Sequence, residues 1–166
     1  MQEEHKAAAP SSVKCAILTI SDSRTIETDL SGKIIKNLLE NHAHTIIDYS
    51  IVKDNKGMIH KKITQLTDNH QVDVIIVNGG TGITKKDVTI ETIQPLFEKE
   101  LTGFSSLFSL VSFKDIGSAA LLSRATAGVV NKTIVFCLPG SPKAVELAMN
   151  KLILSELGHG VKHVHE

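Results

Sequence analysis

Apolar positions fall in short blocks along this chain, and the spacing inside each block separates strands from helices. Residues 13–20 (VKCAILTI), 45–52 (TIIDYSIV) and 72–77 (VDVIIV) are mostly apolar runs that stop at polar or turn-forming residues. Runs of this length and uniformity suit strands covered on both faces, as in a parallel α/β sheet. Between them, residues 31–41 put Ile34, Ile35, Leu38 and Leu39 at helical spacing, with Ser31 as the expected N-cap. Residues 56–68 put Ile59, Ile63 and Leu66 on one helix face, capped by Asp54 or Asn55. The order β-α-β-α-β predicts a parallel sheet with right-handed crossovers.

In the second half, Thr89 is expected to cap a short helix carrying Glu91 in its first turn, and Pro95 to kink or end it. Residues 104–113 form a helix with Phe104, Leu107, Phe108, Leu110 and Val111, too apolar to be wholly exposed. Part of that face is therefore expected to bury against the sheet or a neighbouring subunit. Residues 118–123 read as another short helix. Residues 128–130 and 133–138 are β runs separated by Asn131-Lys132, a hairpin signal that adds one antiparallel strand. The second run ends at Pro139-Gly140. Ser141 then caps a helix with Pro142 at its first position, and Val145, Leu147, Ala148, Leu152 and Ile153 form its apolar face.

Composition narrows the function classes. A chain of 166 residues with 42% hydrophobic residues fits one domain, here 12–166, preceded by a polar, disordered tail at 1–11. Lys+Arg 18 against Asp+Glu 18 gives a formal net charge of +0. No net attraction for nucleic acid or an anionic membrane follows, although a local basic patch stays open. Cys15 and Cys137 each lie inside an apolar run. They read as buried free thiols, and with no signal-type or membrane-spanning segment the expected location is the cytoplasm.

The candidate chemistry gathers at strand ends. After the third strand comes Gly79-Gly80-Thr81-Gly82, then Asp87, Thr89 and Glu91. Glycines there let a ligand approach the backbone, in the crevice where open α/β sheets bind ligands. The turn fits neither the Walker A nor the GxGxxG pattern. It gains weight from the second turn, Pro139-Gly140-Ser141-Pro142, because two such turns on one sheet edge can hold two anionic groups. Asp54 and Asp87 follow strands expected to lie close together. Paired carboxylates suit Mg²⁺, with phosphate oxygens completing the shell, although a helix cap and a loop charge explain them as well. Ser21, Asp22 and Arg24 are either turn chemistry or a wall of the crevice. Lys85, Lys86 and Arg124 are either solvated or set against phosphate. His42 and His44 read as loop residues. His159, His163 and His165 have spacings a metal can use, yet with no supporting pattern they read as a frayed polar tail. No Ser/His/Asp or Cys/His nucleophile arrangement is present.

Taken together, GGTG at 79–82 with DVT at 87–89 and Glu91, the Ser21-Asp22 pair, LLSRATAG at 121–128 and LPGSPKA at 138–144 resemble the MoaB/MogA family of molybdenum cofactor biosynthesis proteins. The G domains of gephyrin and plant Cnx are similar. The resemblance spans about residues 13–157. It implies a three-layer α/β/α sandwich that binds molybdopterin and, in active members, adenylylates it with ATP and Mg²⁺. It places the family's two essential acids at Asp54 and Asp87, phosphates at 79–82, and the nucleotide or pterin pocket at 139–142. It further implies a homotrimer or homohexamer working beside other enzymes of the pathway. A non-catalytic binding or scaffold protein of the same pathway is the alternative. One departure is Ile90, where the family commonly has proline, a change of local stiffness more than of chemistry.

Overall fold

The computed structural model describes residues 8–68 and 70–166. Residues 1–7 of the expected tail lie outside the described residues. The elements run β1 (Lys14–Ile20), α1 (Leu30–Asn41), β2 (Thr45–Val52), α2 (Lys56–Thr67), β3 (Val74–Asn78), α3 (Thr89–Ile93), β4 (Lys99–Glu100), α4 (Thr102–Ile116), β5 (Thr126–Val130), β6 (Thr133–Leu138), α5 (Pro142–Ala148) and α6 (Leu157–His165). A 3₁₀ segment follows α3 at Gln94–Leu96, where Pro95 ends the α-helix as its fixed φ predicts.

Six strands form one sheet in the order β2-β1-β3-β6-β5-β4. The first four are parallel, and β5 runs antiparallel to both β6 and β4. The β5–β6 hairpin turns at Asn131 and Lys132, with φ of 47° and 65°. Two positive φ values give the backbone twist that a two-residue hairpin needs. β4 has only two exposed residues, and no apolar pattern marks it.

Alternation along the central strands explains the three layers. Cys15 and Ile17, Val74 and Ile76, and Ile134, Phe136 and Leu138 point to one face, packing on Ile35 and Leu39 of α1, Phe104 and Phe108 of α4, and Val145 and Ala148 of α5. Their neighbours Ala16, Leu18, Ile75, Val77, Val135 and Cys137 point to the other, packing on Ile59 and Ile63 of α2 and Ile90 and Ile93 of α3. Both cysteines are free and buried. Burial pushes the Cys15 thiol up to about 12, so it is an inert apolar residue rather than a nucleophile.

The chain steps from β1 out to β2 over one face and returns past β1 to β3 over the other. This reversal makes a crevice at the carboxyl ends of β1 and β3, the place where such sheets bind ligands.

The start of α1 differs from expectation. α1 is capped by Asp29, whose Oδ1 accepts from the Gly32 N–H at 3.0 Å. Ser31 instead lies inside the helix and donates to the Gly140 carbonyl at 2.7 Å. Asp29 is 2% exposed and also accepts from Thr19 Oγ1 at 2.6 Å and Tyr49 OH at 2.7 Å. Thr19 in turn accepts from Asn78 Nδ2 at 2.8 Å. This chain of bonds ties the middle of β2 and the ends of β1 and β3 to the start of α1. In Asp29→Asn, an amide N–H₂ would face one of those donors in either orientation, a loss of about 2 kcal/mol. Thermal unfolding of the variant checks this, with a melting point lower by about 4–8 °C.

Candidate functional site

The register of β3 and β6 pairs Asn78 with Leu138, so the two turns leave the sheet at the same level on the same edge. They touch. A Cβ placed on Gly140 would stand 3.1 Å from the Gly79 Cα. Gly79 and Gly80 have φ of 96° and 67°, a left-handed conformation that glycine adopts without steric cost. A side chain on Gly79 would also collide with the Ile20 carbonyl oxygen, and one on Gly80 with the Thr89 hydroxyl.

What holds this turn was not legible from the motif alone. Thr89 is fully buried; its hydroxyl donates to the Gly79 carbonyl at 2.8 Å, and its N–H donates to that of Gly80 at 3.0 Å. It is the first helical residue of α3, not the expected cap; Val88 holds that position without a side-chain bond. Arg124 spreads its guanidinium over the turn. Nε donates to the Thr81 carbonyl at 2.9 Å, Nη2 to that of Gly82 at 2.7 Å, and Nη1 to Glu91 Oε1 at 2.6 Å. The Arg124 hydrogen bond holds the Glu91 carboxyl below the usual carboxylate range. Thr89, Glu91 and Arg124 therefore brace the turn, and Nε, Nη1 and Nη2 of Arg124 each donate there.

Each of the two acids lies against one of the glycines. Asp54 Oδ1 would lie 3.1 Å from a Cβ on Gly80, while a Cβ on Gly82 would meet the Asp87 carboxylate. Asp87 Oδ2 accepts from the N–H and hydroxyl of Thr84 at 2.9 and 2.7 Å, which fixes the loop that presents it. Asp22 Oδ1 accepts from the Asp54 N–H at 3.0 Å and so joins the β1 loop to the β2 loop. Ser21 does turn chemistry, its hydroxyl accepting from the N–H groups of Ser23 and Arg24. The Asp54 carboxyl is raised above its ordinary value, first by burial and then by the charges of Asp22 and Asp87, with Lys86 opposing. Carboxylates crowded in this way favour a cation among them.

Asn55, not Asp54, caps α2, accepting from the Met58 N–H at 3.0 Å, which leaves the Asp54 side chain for the crevice. Ser141 caps α5 with Pro142 at the first position, as its sequence predicts. A cleft of about 350 Å³ is lined by Gly79, Gly80, Thr81, Gly82, Asp87, Arg124, Pro139 and Gly140, together with Ala119, Leu122 and Ser123. A smaller one of about 110 Å³, sharing Ser123 and Pro139, reaches Ser112, Asp115, Ser141 and Lys143. On the other side, Ser21, Asp22, Arg24, Tyr49 and Lys53 border a third, of about 510 Å³. Among the described residues no three His, Cys, Asp or Glu side chains gather to hold a metal ion unaided.

Sequence reasoning missed Asp29 and Asn78, which carry no motif. Their signal is local: an acid three residues before Gly32 at a helix start, and an amide at the last position of an otherwise apolar strand.

The profile of the family described as "Probable molybdopterin binding domain" matches residues 16–159. The chain is 52% identical over 163 residues to molybdenum cofactor biosynthesis protein B of Bacillus anthracis, covering 98% of this chain and 96% of that one. It is 51% identical over 165 residues to the protein of the same name from Bacillus subtilis, covering 99% and 97%. A crystal structure of a molybdenum cofactor biosynthesis protein B superposes with a TM-score of 0.91 at 51% identity, covering 95% of this chain and 98% of that one. The tungsten cofactor synthesizing protein MoaB of Pyrococcus furiosus superposes with a TM-score of 0.85 at 37% identity, covering 95% and 100%. The glycine turn, the paired acids and the sheet order thus occur on a chain that belongs to the molybdopterin-binding domain family, with relatives of high identity in molybdenum cofactor biosynthesis protein B.

Proposed function

We propose that this protein works in molybdenum cofactor biosynthesis, where it binds molybdopterin and transfers AMP to it from Mg-ATP. The observation that carries the reading is the meeting of two glycine turns, at 79–82 and at Gly140, with Asp54 against Gly80 and Asp87 against Gly82. In this reaction an oxygen of the molybdopterin phosphate bonds to the α-phosphorus of ATP as the bond to pyrophosphate breaks. The substrate phosphate is itself the nucleophile, so the protein needs no reactive Ser, Cys or His. Its task is to align two anions and offset their charge.

Asp54 and Asp87 supply hard oxygen ligands of the kind Mg²⁺ takes, and the crowding at Asp54 fits a cation there. Bound Mg²⁺ would neutralise phosphate charge. Backbone amides of residues 79–82 hold phosphate oxygens, and Gly140 and Ser141 border the second ligand. Ser21 and Asp22 set the position of the Asp54 loop, while Arg124, Glu91 and Thr89 keep the glycine turn open.

Incubation of the purified protein with molybdopterin and Mg-ATP tests the reading, with adenylylated molybdopterin and pyrophosphate as expected products. Saturable molybdopterin binding without either product would instead make this a binding or scaffold protein of the pathway.

Assembly is the other part of the proposal. Leu107, Leu110, Phe113 and Ile116 of α4 and Leu121 beyond it are 51%, 48%, 60%, 46% and 83% exposed. An apolar strip of this size on a lone chain favours contact between copies, and we expect a homotrimer or homohexamer. Sedimentation at micromolar concentration checks this; a monomer would contradict it.

A further inference from the structure

His159, His163 and His165, expected on a frayed tail, lie on helix α6. Its histidines are not loose. His159 and His163, one turn apart, face each other with Nε2 atoms 2.9 Å apart and ring centroids 4.6 Å apart. His159 Nδ1 lies 3.0 Å from Glu156 Oε2, and His163 Nδ1 lies 3.2 Å from Glu166 Oε2. His165 points elsewhere, its Nε2 3.7 Å from Asp73 Oδ1.

An ionised carboxylate can only accept, so both Nδ1 atoms carry the N–H, and each neutral ring then has its lone pair on Nε2. The two Nε2 atoms, 2.9 Å apart, can share one cation: a proton, in an imidazolium–imidazole hydrogen bond, or a metal ion held off the line between them. We propose that His159 and His163 form a binding site for a divalent transition-metal ion, Cu²⁺ by preference, with Glu156 and Glu166 orienting the two rings. Imidazole is a good ligand for such ions, and a carboxylate on the far ring nitrogen is the usual support for a metal-bound histidine. The spacing selects the geometry. With metal–nitrogen distances of about 2.0–2.1 Å, nitrogens 2.9 Å apart subtend about 90°, adjacent corners of a square or octahedron. A tetrahedral zinc ion would need them about 3.3 Å apart. Tetragonal nitrogen sites suit Cu²⁺ and Ni²⁺, of which Cu²⁺ binds more tightly.

Access and place agree with such a role. The side chains of His159 and His163 are 25% and 51% exposed, so solvent reaches the pair. His163 and Glu166 line a cavity of about 540 Å³ with Glu98, Val129 and Lys132. Lys132 precedes β6, so the pair lies at the opposite end of that strand from Gly140, apart from the phosphate crevice. Among the described residues no third His, Cys, Asp or Glu completes the cluster.

The test is a titration of the tag-free full chain with Cu²⁺, followed by calorimetry and electron paramagnetic resonance. The expected result is one equivalent with an axial spectrum split by imidazole nitrogen. His159→Asn or His163→Asn should lose that equivalent, and Glu166→Gln should bind about 10–100-fold more weakly. His42→Asn, on another helix end, should match the native protein. Circular dichroism of each variant confirms that α6 is intact. Native protein that takes up no Cu²⁺, or a His163→Asn variant that titrates as the native chain does, would overturn the site.

Discussion

Asp54→Asn and Asp87→Asn are each expected to lower AMP transfer at least about 1,000-fold, roughly 4 kcal/mol of transition-state stabilisation, while the fold stays intact. Each change keeps the side-chain shape and removes a charge from the place where phosphate charge must be offset. Stability separates this outcome from simple unfolding. The folded protein raises the Asp54 carboxyl above its ordinary value, through burial and the Asp22 and Asp87 charges. A group with a raised folded pKa favours the fold in its protonated form, and that advantage is lost as pH rises through the folded value. At neutral pH, ionised Asp54 therefore works against folding when no cation is bound, and Asp54→Asn should melt no lower than the native protein. The same shift sets the acid limb of activity. Cation binding needs the ionised carboxylate, so at low Mg²⁺ activity should fall with decreasing pH at a value above the ordinary aspartate pKa of about 3.9, and saturating Mg²⁺, by favouring the ionised form, should move that limb lower. Product formation measured against pH, beside a melting curve for each variant, checks both points. Full activity in both Asn variants would remove the metal role.

Gly79→Ala should cost about 3 kcal/mol of stability and most of the ligand affinity. Position 79 has a φ of 96°, and the new methyl would run into the Ile20 carbonyl oxygen, a backbone atom that cannot rotate away. Backbone strain of this kind costs about 1–3 kcal/mol by itself, and the collision adds to it. The β1 and β3 ends would have to separate, which moves the Gly79 carbonyl away from Thr89 and the turn away from Gly140. For a chain of this size the melting point should drop by about 6–12 °C. Gly103→Ala is the control, because a Cβ there meets nothing within 4 Å. Equal melting of the two variants would show that the turn is not under this constraint.

The central strands were legible because both faces of β1, β3 and β6 are buried, which leaves uninterrupted apolar runs. The β5–β6 turn and the Ser141-Pro142 cap were legible because single residues dictate their backbone. Elsewhere the information is not local. Ser31 and Asp29 both suit an N-cap, and what decides between them is the buried network with Thr19 and Tyr49, residues from two strands. Thr89 resembles a cap until the Gly79 carbonyl, ten residues earlier, takes its hydroxyl. β4 is too short and polar to leave a pattern; its pairing with β5 defines it. α6 contains Gly158 and Gly160, which weaken helix propensity, but burial of Leu157 and Val161 outweighs that cost. Gly158 is also where the Pro10 carbonyl packs, too close for any side chain.

At the candidate site the motifs located the parts and the sheet order explained their meeting. Asp54 and Asp87 follow β2 and β3, the two neighbours of β1, so Asp22 at the end of β1 lies between them. The role of Arg124 was not legible, because its partners Thr81, Gly82 and Glu91 are more than thirty residues away.

A crystal structure of the protein with molybdopterin, Mg²⁺ and a non-hydrolysable ATP analogue tests the central claim most directly. The account predicts a cation touching both Asp54 and Asp87, phosphate oxygens on the amides of residues 79–82, and the second ligand against Gly140. Phosphates bound away from the 79–82 turn, with neither carboxylate near a cation, would contradict it.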